Sequence, residues 1–317
     1  MRITLLVKGN LRARRRLRKD LETLRALLPA AQLTVVESEY GGHSVELAAA
    51  ARDRTDYLIA VGGDGTLHEL LNGCLRVVSG EPLRKLPVIG VLPYGSANDF
   101  ARSAGIEQSA EQLARLIAQG TPRAVDVGAL SCQGEDGNLQ QRYFLNATDV
   151  GIGAGVIRRL EHTGKRFGGQ FSYMRATLAT FFGYRPQCLS IETDTGLHWR
   201  GKTLILVAAN GRYFGSGLGI APGARLDDGS LFITRVGDAS VLDFARKFRQ
   251  IRRGERLRHP AVSYARAGRI SVAGEGGEAP VEADGEFLGY TPLEISMLPA
   301  AIRLLVPAEG ATGGSDR

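Results

Sequence analysis

The sequence has little cysteine and no long apolar run, and each of these absences excludes a class of protein. It contains three cysteines in 317 residues, with no Cys-x-x-Cys pair. Neither a disulfide framework nor a zinc site is therefore expected, and a reducing compartment fits. No apolar run reaches the roughly 18 residues of a membrane span, and the first residues lack the pattern of a secretion signal. We expect a cytoplasmic protein.

Two familiar phosphate-handling arrangements are also not indicated. The Gly-x-x-x-x-Gly-Lys-Ser/Thr spacing occurs at Gly196–Thr203, but a strand-like run and not a helical pattern follows it, so it does not predict a Walker-type loop. No His-Arg-Asp loop occurs, and Asp99-Phe100 is followed by alanine, which excludes a protein-kinase apparatus. The glycine-rich segments that begin at Gly151 and Gly215 lack the dinucleotide-binding spacing, so we interpret them as turn or bulge glycines.

The composition itself is that of an ordinary globular protein with excess positive charge. Apolar residues make up 44% and charged residues 23%, and 40 Lys and Arg against 33 Asp and Glu leave a net charge of +7. This excess favours an anionic partner. No recognised nucleic-acid motif accompanies the basic residues, so nucleic acid is not expected, and nothing indicates an oligomeric state. Two basic runs are either solvated helix faces or contacts with an anionic membrane. They comprise Arg12, Arg14, Arg15, Arg16, Arg18 and Lys19, and then Arg246, Lys247, Arg249, Arg252, Arg253, Arg256 and Arg258.

The first part of the chain alternates short apolar strands with helical patterns. This alternation predicts a doubly wound parallel sheet with helices on both faces. The predicted strands are Ile3–Val7, Leu33–Val36, Tyr57–Val61 and Val88–Leu92. The predicted helices are Arg12–Leu28, Val45–Arg52, Leu67–Val78 and Glu111–Ala118.

After about Pro122 the pattern changes to strand-like runs separated by Gly, Asn and Asp turns. It predicts a mostly antiparallel β domain. Helical patterns occur only near Ala154–Leu160, Ser172–Phe182 and Leu242–Ile251. We therefore expect an α/β domain over residues 1–122, a β-rich domain over 123–308 and a disordered tail over 309–317.

Two loops of the first domain follow predicted strands, where open α/β sheets bind ligands. In Gly62–Thr66, the glycines permit close approach of a ligand and the following helix N-terminus attracts phosphate. Asp64 would repel a polyphosphate unless a cation such as Mg²⁺ lies between them; otherwise it is the cap of a tight turn. In Pro93–Ala101, Asn98 and Asp99 stand at a helix start, where each is also an ordinary cap.

Two Asp-Gly segments stand out in the second domain. Asp228-Gly229 and Asp284-Gly285 each have the sequence of a hairpin turn. Glu286 follows the second turn directly, and its carboxylate could serve as a general base.

Together these segments resemble the diacylglycerol kinase catalytic-domain family, most closely its bacterial YegS-like lipid kinase branch. The first motif alone also occurs in NAD kinases and phosphofructokinases, whereas the second and the last together are far more specific. The matching pieces are Gly62–Thr66, Pro93–Ala101, Ala221-Pro222 with Asp228-Gly229, and Asp284-Gly285-Glu286 before Leu298-Pro299.

The resemblance implies an ATP- and Mg²⁺-dependent kinase that phosphorylates a lipid hydroxyl at an anionic membrane surface, with its active site in a cleft between two domains. It implies that Asp64 joins a Mg²⁺–water network and that Glu286, or else Asp284, is the base. It implies a structural Mg²⁺ held by Asp228 with the backbone carbonyls of Arg225 and Ser230. The ATP contacts it implies are Ser38, Gly62, Gly63, Asp64, Gly65, Thr66, Leu67, His68 and Ser96.

The sequence departs from the family pattern in three places. Lys8-Gly9-Asn10 stands where Asn-Pro or Asn-Gly is usual, His68 stands for asparagine, and Ser96 stands for threonine with its hydroxyl retained. Two alternatives stay open: an NAD kinase-like enzyme acting on a soluble nucleotide, and a non-catalytic binder of anionic lipid.

Overall fold

In the computed structural model the chain forms two compact units. The first unit comprises Met1–Val125 together with Ala300–Arg317, and the second comprises Asp126–Pro299. The structure describes residues 1–75, 86–163 and 183–307.

The last part of the chain belongs to the first unit, whereas the sequence pattern assigned residues 123–308 to the second. Leu304 pairs with Ile89 in parallel, and the Leu305 amide donates a hydrogen bond to the Ile89 carbonyl at 2.8 Å. Leu305 is buried in the core of the first unit. This return depends on pairing with a distant strand, which local periodicity does not encode. The tail predicted over 309–317 lies outside the described residues.

The N-terminal part of the chain contributes four parallel strands to the sheet of the first unit. They are β1 (Arg2–Val7), β2 (Gln32–Glu37), β3 (Tyr57–Gly62) and β4 (Val88–Pro93). Parallel pairing of β1 with β2 and β3, and of β3 with β4, gives the order β4-β3-β1-β2. The predicted parallel sheet is confirmed, and β3 and β4 are adjacent.

Helices cover both faces of this sheet, as predicted. Leu5 and Ile59 pack with Leu24 and Ile117 of two helices on one face. Leu6 points to the opposite face, because successive strand residues alternate, and it is also fully buried. The helices are α1 (Arg14–Leu27), α2 (His43–Ala51), α3 (Asp64–Leu75), α4 (Asp99–Ser103) and α5 (Ala110–Gln119). The end of the predicted helix Leu67–Val78 lies outside the described residues.

The strands of the second unit pair antiparallel, which confirms the predicted β-rich architecture. The path β12-β11-β10-β7-β14-β15 runs through neighbouring strands, with β13, β8 and β9 in a further ladder and β5 paired with β6. The strands are β5 (Arg123–Gln133), β6 (Leu139–Phe144), β7 (Ala147–Gly151), β8 (Gln187–Thr193), β9 (His198–Thr203), β10 (Ile205–Ala209), β11 (Leu231–Val236), β12 (Val262–Ala267), β13 (Arg269–Gly274), β14 (Pro280–Ala283) and β15 (Glu286–Leu304). Inward-facing apolar residues such as Phe144, Val281 and Leu293 form their core.

Among the described residues of this unit, the helices α6 (Ile152–Thr163) and α7 (Val241–Arg252) accompany these strands. Helix α7 begins with a capping box in which Ser240 and Asp243 bond reciprocally to each other's backbone amides. The helix predicted at 172–182 lies outside the described residues. Within the described part of the chain, every helix is too short or too polar to cross a membrane.

Candidate active site

The first glycine loop lies where β3 ends and α3 begins. β3 ends at Gly62 and α3 begins at Asp64, so Gly63 alone connects them. The Gly63 carbonyl accepts hydrogen bonds from the amides of Thr66 at 3.0 Å and Leu67 at 3.2 Å. A Cβ at Gly62 would lie 2.2 Å from the Thr66 hydroxyl oxygen. Glycine at this position is therefore required by the strand-to-helix turn itself.

Gly65 differs from the other two glycines of the loop. A Cβ at this position would meet no atom within 4 Å, although Gly65 lies in the first turn of α3. Protein packing therefore gives no reason for glycine here. A phosphate that approaches the amides of the helix N-terminus would give one, since a side chain would stand in its way.

The second loop packs directly against the first. A Cβ on Gly95 would lie 2.5 Å from the Cα of Gly63, and a Cβ on Gly63 would lie 2.9 Å from the Cα of Gly95. The side chain of Asn98, at a positive φ of 52°, bonds to both the amide and the carbonyl of Gly95 at 2.9 Å. The two loops thus touch through their backbones, and only glycine allows this approach.

The carboxylate of Asp64 joins the two loops. Its Oδ2 accepts the Asp99 amide at 3.2 Å and its Oδ1 accepts the Phe100 amide at 3.1 Å. Asp64 therefore caps the N-terminus of α4, a second helix, rather than only the turn to which it belongs. The role in a Mg²⁺ network stays a prediction.

The side chains that follow Asp64 are buried. The exposed fractions of Thr66, Leu67 and His68 are 6%, 3% and 2%. His68 Nε2 lies 3.3 Å from the Nδ2 of Asn72, one helical turn further on. Ser96 is exposed. Contact of ATP with these residues stays a prediction, and for Leu67 and His68 the side chains are directed into the protein.

Ser38 lies against the loop that follows β1. Its hydroxyl oxygen accepts the Gly9 amide at 3.1 Å, and a Cβ on Gly9 would lie 1.7 Å from the Ser38 carbonyl oxygen. Glycine is therefore required at this point of Lys8-Gly9-Asn10. The predicted contact of Ser38 with ATP stays a prediction, because its hydroxyl already stabilises this loop.

In the second unit, Asp284 is held by backbone amides. Its carboxylate accepts hydrogen bonds from Leu145 at 2.9 Å, Asn146 at 3.0 Å and Ala147 at 3.1 Å. These amides lie at the connection between β6 and β7. Asp284 thus holds this connection to the β14–β15 hairpin through charge-assisted hydrogen bonds.

Glu286 is the first residue of β15, directly after the hairpin turn. Asp284 and Gly285 both have positive φ, 49° and 86°, as the type I′ hairpin turn requires. Ala283 pairs with Glu286 across the hairpin, and Glu286 is half-buried. The segment is therefore a hairpin turn, one of the two interpretations from the sequence. Because Glu286 directly follows the turn, the conformation of the turn also determines the position of the Glu286 carboxylate.

The turn predicted to hold a structural Mg²⁺ has its carboxylate already engaged. Asp228 Oδ1 accepts the amide of Ser230 at 3.2 Å and its hydroxyl at 3.1 Å. Asp228 Oδ2 forms an ion pair with the guanidinium of Arg266, which also bonds to the carbonyl of Gly223. Arg225 Nη2 lies 3.5 Å from Asp227 Oδ1.

Carboxylate and carbonyl oxygens suit Mg²⁺, but at this turn Arg266 already supplies the positive charge. Among residues 1–75, 86–163 and 183–307, no group of three or more His, Cys, Asp or Glu side chains is arranged to hold a metal. As arranged, the residues at Asp228 do not fit an additional cation. A metal there stays a prediction from the resemblance.

Comparisons with known proteins agree with this arrangement of loops and turns. Residues 5–130 match the diacylglycerol kinase catalytic domain, and residues 146–306 match the YegS C-terminal NAD kinase beta sandwich-like domain. The chain is 31% identical over 276 residues to the "Probable lipid kinase YegS-like" of Chromohalobacter salexigens, which covers 86% of this chain and 83% of that protein. It is 28% identical over 263 residues to the diacylglycerol kinase of Bacillus subtilis, covering 83% and 81%.

The chain belongs to the YegS-like lipid kinase branch of the diacylglycerol kinase family. The fold of this kinase also matches the crystal structure of a diacylglycerol kinase from Bacillus anthracis. The TM-score is 0.69, with 21% identity, over 96% of this chain and 97% of that chain.

Three carboxylates of this kinase are missing from the sequence-based prediction of the site. Asp126 is buried, and its Oδ2 accepts the Gly229 amide at 2.7 Å, which braces the turn at Asp228. Asp149 and Glu282 are also fully buried. The sequence did contain a signal for Asp149 and Glu282, because each is an acidic residue within a short run of otherwise apolar or small residues. A lone acidic residue in such a run does not identify its partner.

Proposed function

We propose that this protein transfers the γ-phosphate of Mg·ATP to the hydroxyl group of a lipid. One observation carries the proposal: the loops after β3 and β4 meet through Gly63 and Gly95 beside the N-terminus of α3. Ligands of open α/β sheets bind at this edge, and a helix N-terminus attracts phosphate. The names of the relatives, diacylglycerol kinase and lipid kinase, support a lipid as the acceptor.

In the proposed reaction the lipid hydroxyl loses its proton to the Glu286 carboxylate while its oxygen attacks the γ-phosphorus. A new phosphorus–oxygen bond forms to the lipid, the bond to the bridging oxygen of ADP breaks, and ADP leaves. Positioning and charge neutralisation contribute most of the acceleration in such transfers. Glu286 is preferred to Asp284 as the base because three amides already occupy the Asp284 carboxylate.

Magnesium enters the proposal as part of the Mg·ATP substrate. Of the residues in the two loops, Asp64 is the proposed contact to the water shell of that ion, since its carboxylate joins the loops through the amides of Asp99 and Phe100 and carboxylate oxygens suit Mg²⁺. The amides at the start of α3 would neutralise phosphate charge directly, since neither Gly62–Thr66 nor Pro93–Ala101 contains a lysine.

The proposed membrane contact is a face of α7. Arg246 and Arg249 are exposed and lie one turn apart on this helix, and Phe248, between them in the sequence, is 38% exposed. A basic helix with an aromatic residue on its outer face is typical of peripheral attachment to anionic membranes. The first basic run contributes less in this proposal, because Arg14 pairs with Glu37 and Arg16 bonds to Gln108.

A lipid-panel kinase assay tests the proposal. Purified protein is incubated with radiolabelled ATP, Mg²⁺ and either diacylglycerol, phosphatidylglycerol or a sphingoid base in mixed micelles, with NAD as the competing acceptor. We expect label in a lipid product from wild type, and about 10²–10⁴-fold slower labelling from Glu286→Gln. Glu294→Gln, at an exposed position of the same strand, should match wild type. Label in NAD alone would support the NAD kinase-like alternative, and ATP or lipid binding without transfer would support a non-catalytic binder.

A further inference from the structure

Two fully buried carboxyl groups, those of Asp149 and Glu282, lie opposite each other in the second unit. They are direct cross-strand partners in the antiparallel pairing of β7 with β14. Their exposed fractions are 1% and 0%. The reaction proposed above uses neither of them, and buried acidic residues without a cationic partner are rare in proteins.

One oxygen of each of these two carboxyl groups accepts a hydrogen bond from a backbone amide. Asp149 Oδ1 accepts the amide of Ala154 at 3.0 Å, and Glu282 Oε2 accepts the amide of Gly285 at 2.7 Å. The remaining oxygens, Asp149 Oδ2 and Glu282 Oε1, are buried, and no donor among the described residues reaches them. As direct cross-strand partners, the two side chains project from the same face of the sheet, where neighbouring side chains meet. One proton held between them would satisfy both orphaned oxygens and remove one of two buried negative charges.

The surroundings of the pair favour retention of this proton. The charged and titratable groups that act on it from the described elements are the Tyr184 hydroxyl, beside Asp149, and the Asp284 carboxylate, beside Glu282. Neither supplies positive charge. Burial raises the pKa of Asp149 to about 7. Burial, together with the Asp149 charge, raises the pKa of Glu282 well above its usual range.

We propose that Asp149 and Glu282 share one proton, and that the protonated pair is a positioning element for the hairpin turn that presents Glu286. Glu282 acts on that turn directly, since its second oxygen holds the Gly285 amide next to Glu286. Asp284 holds the other side of the turn on the amides of residues 145–147. The catalytic consequence rests on the proposed function, whereas the shared proton does not.

Amide substitutions test the shared proton, because an amide copies a protonated carboxyl group. In Glu282→Gln, the amide oxygen can accept from Gly285 and the amide nitrogen can donate to Asp149 Oδ2. In Asp149→Asn, the oxygen can accept from Ala154 and the nitrogen can donate to Glu282 Oε1. In the double variant both oxygens are committed to backbone amides, so two NH₂ groups face each other without an acceptor. We expect each single variant to melt near wild type and the double variant to melt far below the sum of the single effects.

Infrared spectroscopy gives a second readout that does not depend on whether the double variant folds. The wild type should show the carbonyl stretch of a buried, protonated carboxylic acid at neutral pH, and the Glu282→Gln variant should lack it. Additive melting effects together with no such band would overturn the shared proton.

The positioning role is tested by turnover. We expect Glu282→Ala to lower kcat by about 10- to 100-fold, the usual cost of a misplaced catalytic group, with little change in the KM for ATP. Glu282→Gln should restore most of that loss. Because this variant has no shared proton to lose, its kcat should fall less with rising pH than the kcat of wild type. Equal kcat in the Ala and Gln variants would overturn the positioning role. If wild type phosphorylates no lipid, the proposed function fails, while the melting and infrared results still decide the shared proton.

Discussion

Asp64 Oδ1 accepts the amide hydrogen of Phe100 at 3.1 Å, while its Oδ2 accepts that of Asp99. Both oxygens of one carboxylate thus hold the start of α4. Asparagine has one acceptor oxygen, and its NH₂ group would face the second amide. Asp and Asn cap a helix about equally well where the cap accepts a single hydrogen bond. Asp64 accepts two, so asparagine should cap α4 less well.

We therefore expect Asp64→Asn to lower both stability and activity. An unsatisfied amide costs about 1–3 kcal/mol, so the thermal melt should shift down. Loss of a preorganised charge-stabilising group should lower turnover on Mg·ATP by about 10²-fold, measured well below the melting temperature. A wild-type melting temperature would contradict the cap, and wild-type turnover would remove Asp64 from the mechanism.

Alanine substitutions at Gly65 and Gly63 should separate an effect on ATP binding from an effect on folding. Gly65→Ala meets no atom, and alanine is favoured over glycine in a helix by about 0.5–1 kcal/mol, so the melt should hold or rise. If phosphate approaches this backbone, the KM for ATP should rise. Gly63→Ala should instead lower the melting temperature, because its Cβ would meet Gly95. An unchanged KM in Gly65→Ala would place the phosphate elsewhere.

Glu286 and Asp284 should respond to amide substitution in different ways. Glu286→Gln removes the base and keeps the shape, so turnover should fall by about 10²–10⁴-fold with a normal melt. Asp284→Asn leaves one acceptor oxygen for three amides, so its main effect should be a lower melting temperature. Steady-state kinetics and calorimetry on both variants check this. A stable but inactive Asp284→Asn would reverse the assignment.

The ion pair between Arg266 and Asp228 predicts how stability depends on Mg²⁺. In wild type we expect a melting temperature that does not change with Mg²⁺ in the absence of ATP, because the guanidinium already neutralises Asp228. Arg266→Gln should melt lower and regain part of the loss when Mg²⁺ is added, since the freed oxygens suit a hard cation. Mg²⁺ stabilisation of wild type that Asp228→Asn abolishes would establish the metal site implied by the family resemblance instead.

Attachment to anionic vesicles should depend on α7 and on salt. Each basic residue near an acidic leaflet contributes on the order of 1 kcal/mol, and salt screens this attraction. In vesicle sedimentation, replacing both Arg246 and Arg249 by glutamine should weaken binding to anionic vesicles at low salt. The matched change of Arg14 and Arg16 should have a smaller effect. Equal binding to neutral and anionic vesicles would contradict the electrostatic model.

Local signals in the sequence were enough for the strands β1 to β4, for the helices around them and for the type of each unit. Short apolar runs alternating with 3.6-residue periodicity specify β1 to β4 and their helices, since strand and helix periods depend only on neighbouring residues. The dipeptide Asp284-Gly285 specifies a hairpin turn because both of its residues tolerate positive φ. The Gly62–Thr66 and Pro93–Ala101 motifs identify the loops at the strand ends.

Only the tertiary structure decided which groups those loops and strands bring together. Asp64 caps α4 because the ends of β3 and β4 are adjacent, Leu304 returns to Ile89, and Asp149 faces Glu282 through one register of strand pairing. Each relationship joins residues that are far apart in the chain and adjacent only after the sheets form. A one-residue change of register would turn Asp149 away from Glu282, because side chains alternate between the faces of a sheet. Pairing and register are properties of the packed core as a whole, so the sequence names these carboxylates while the fold determines their partners.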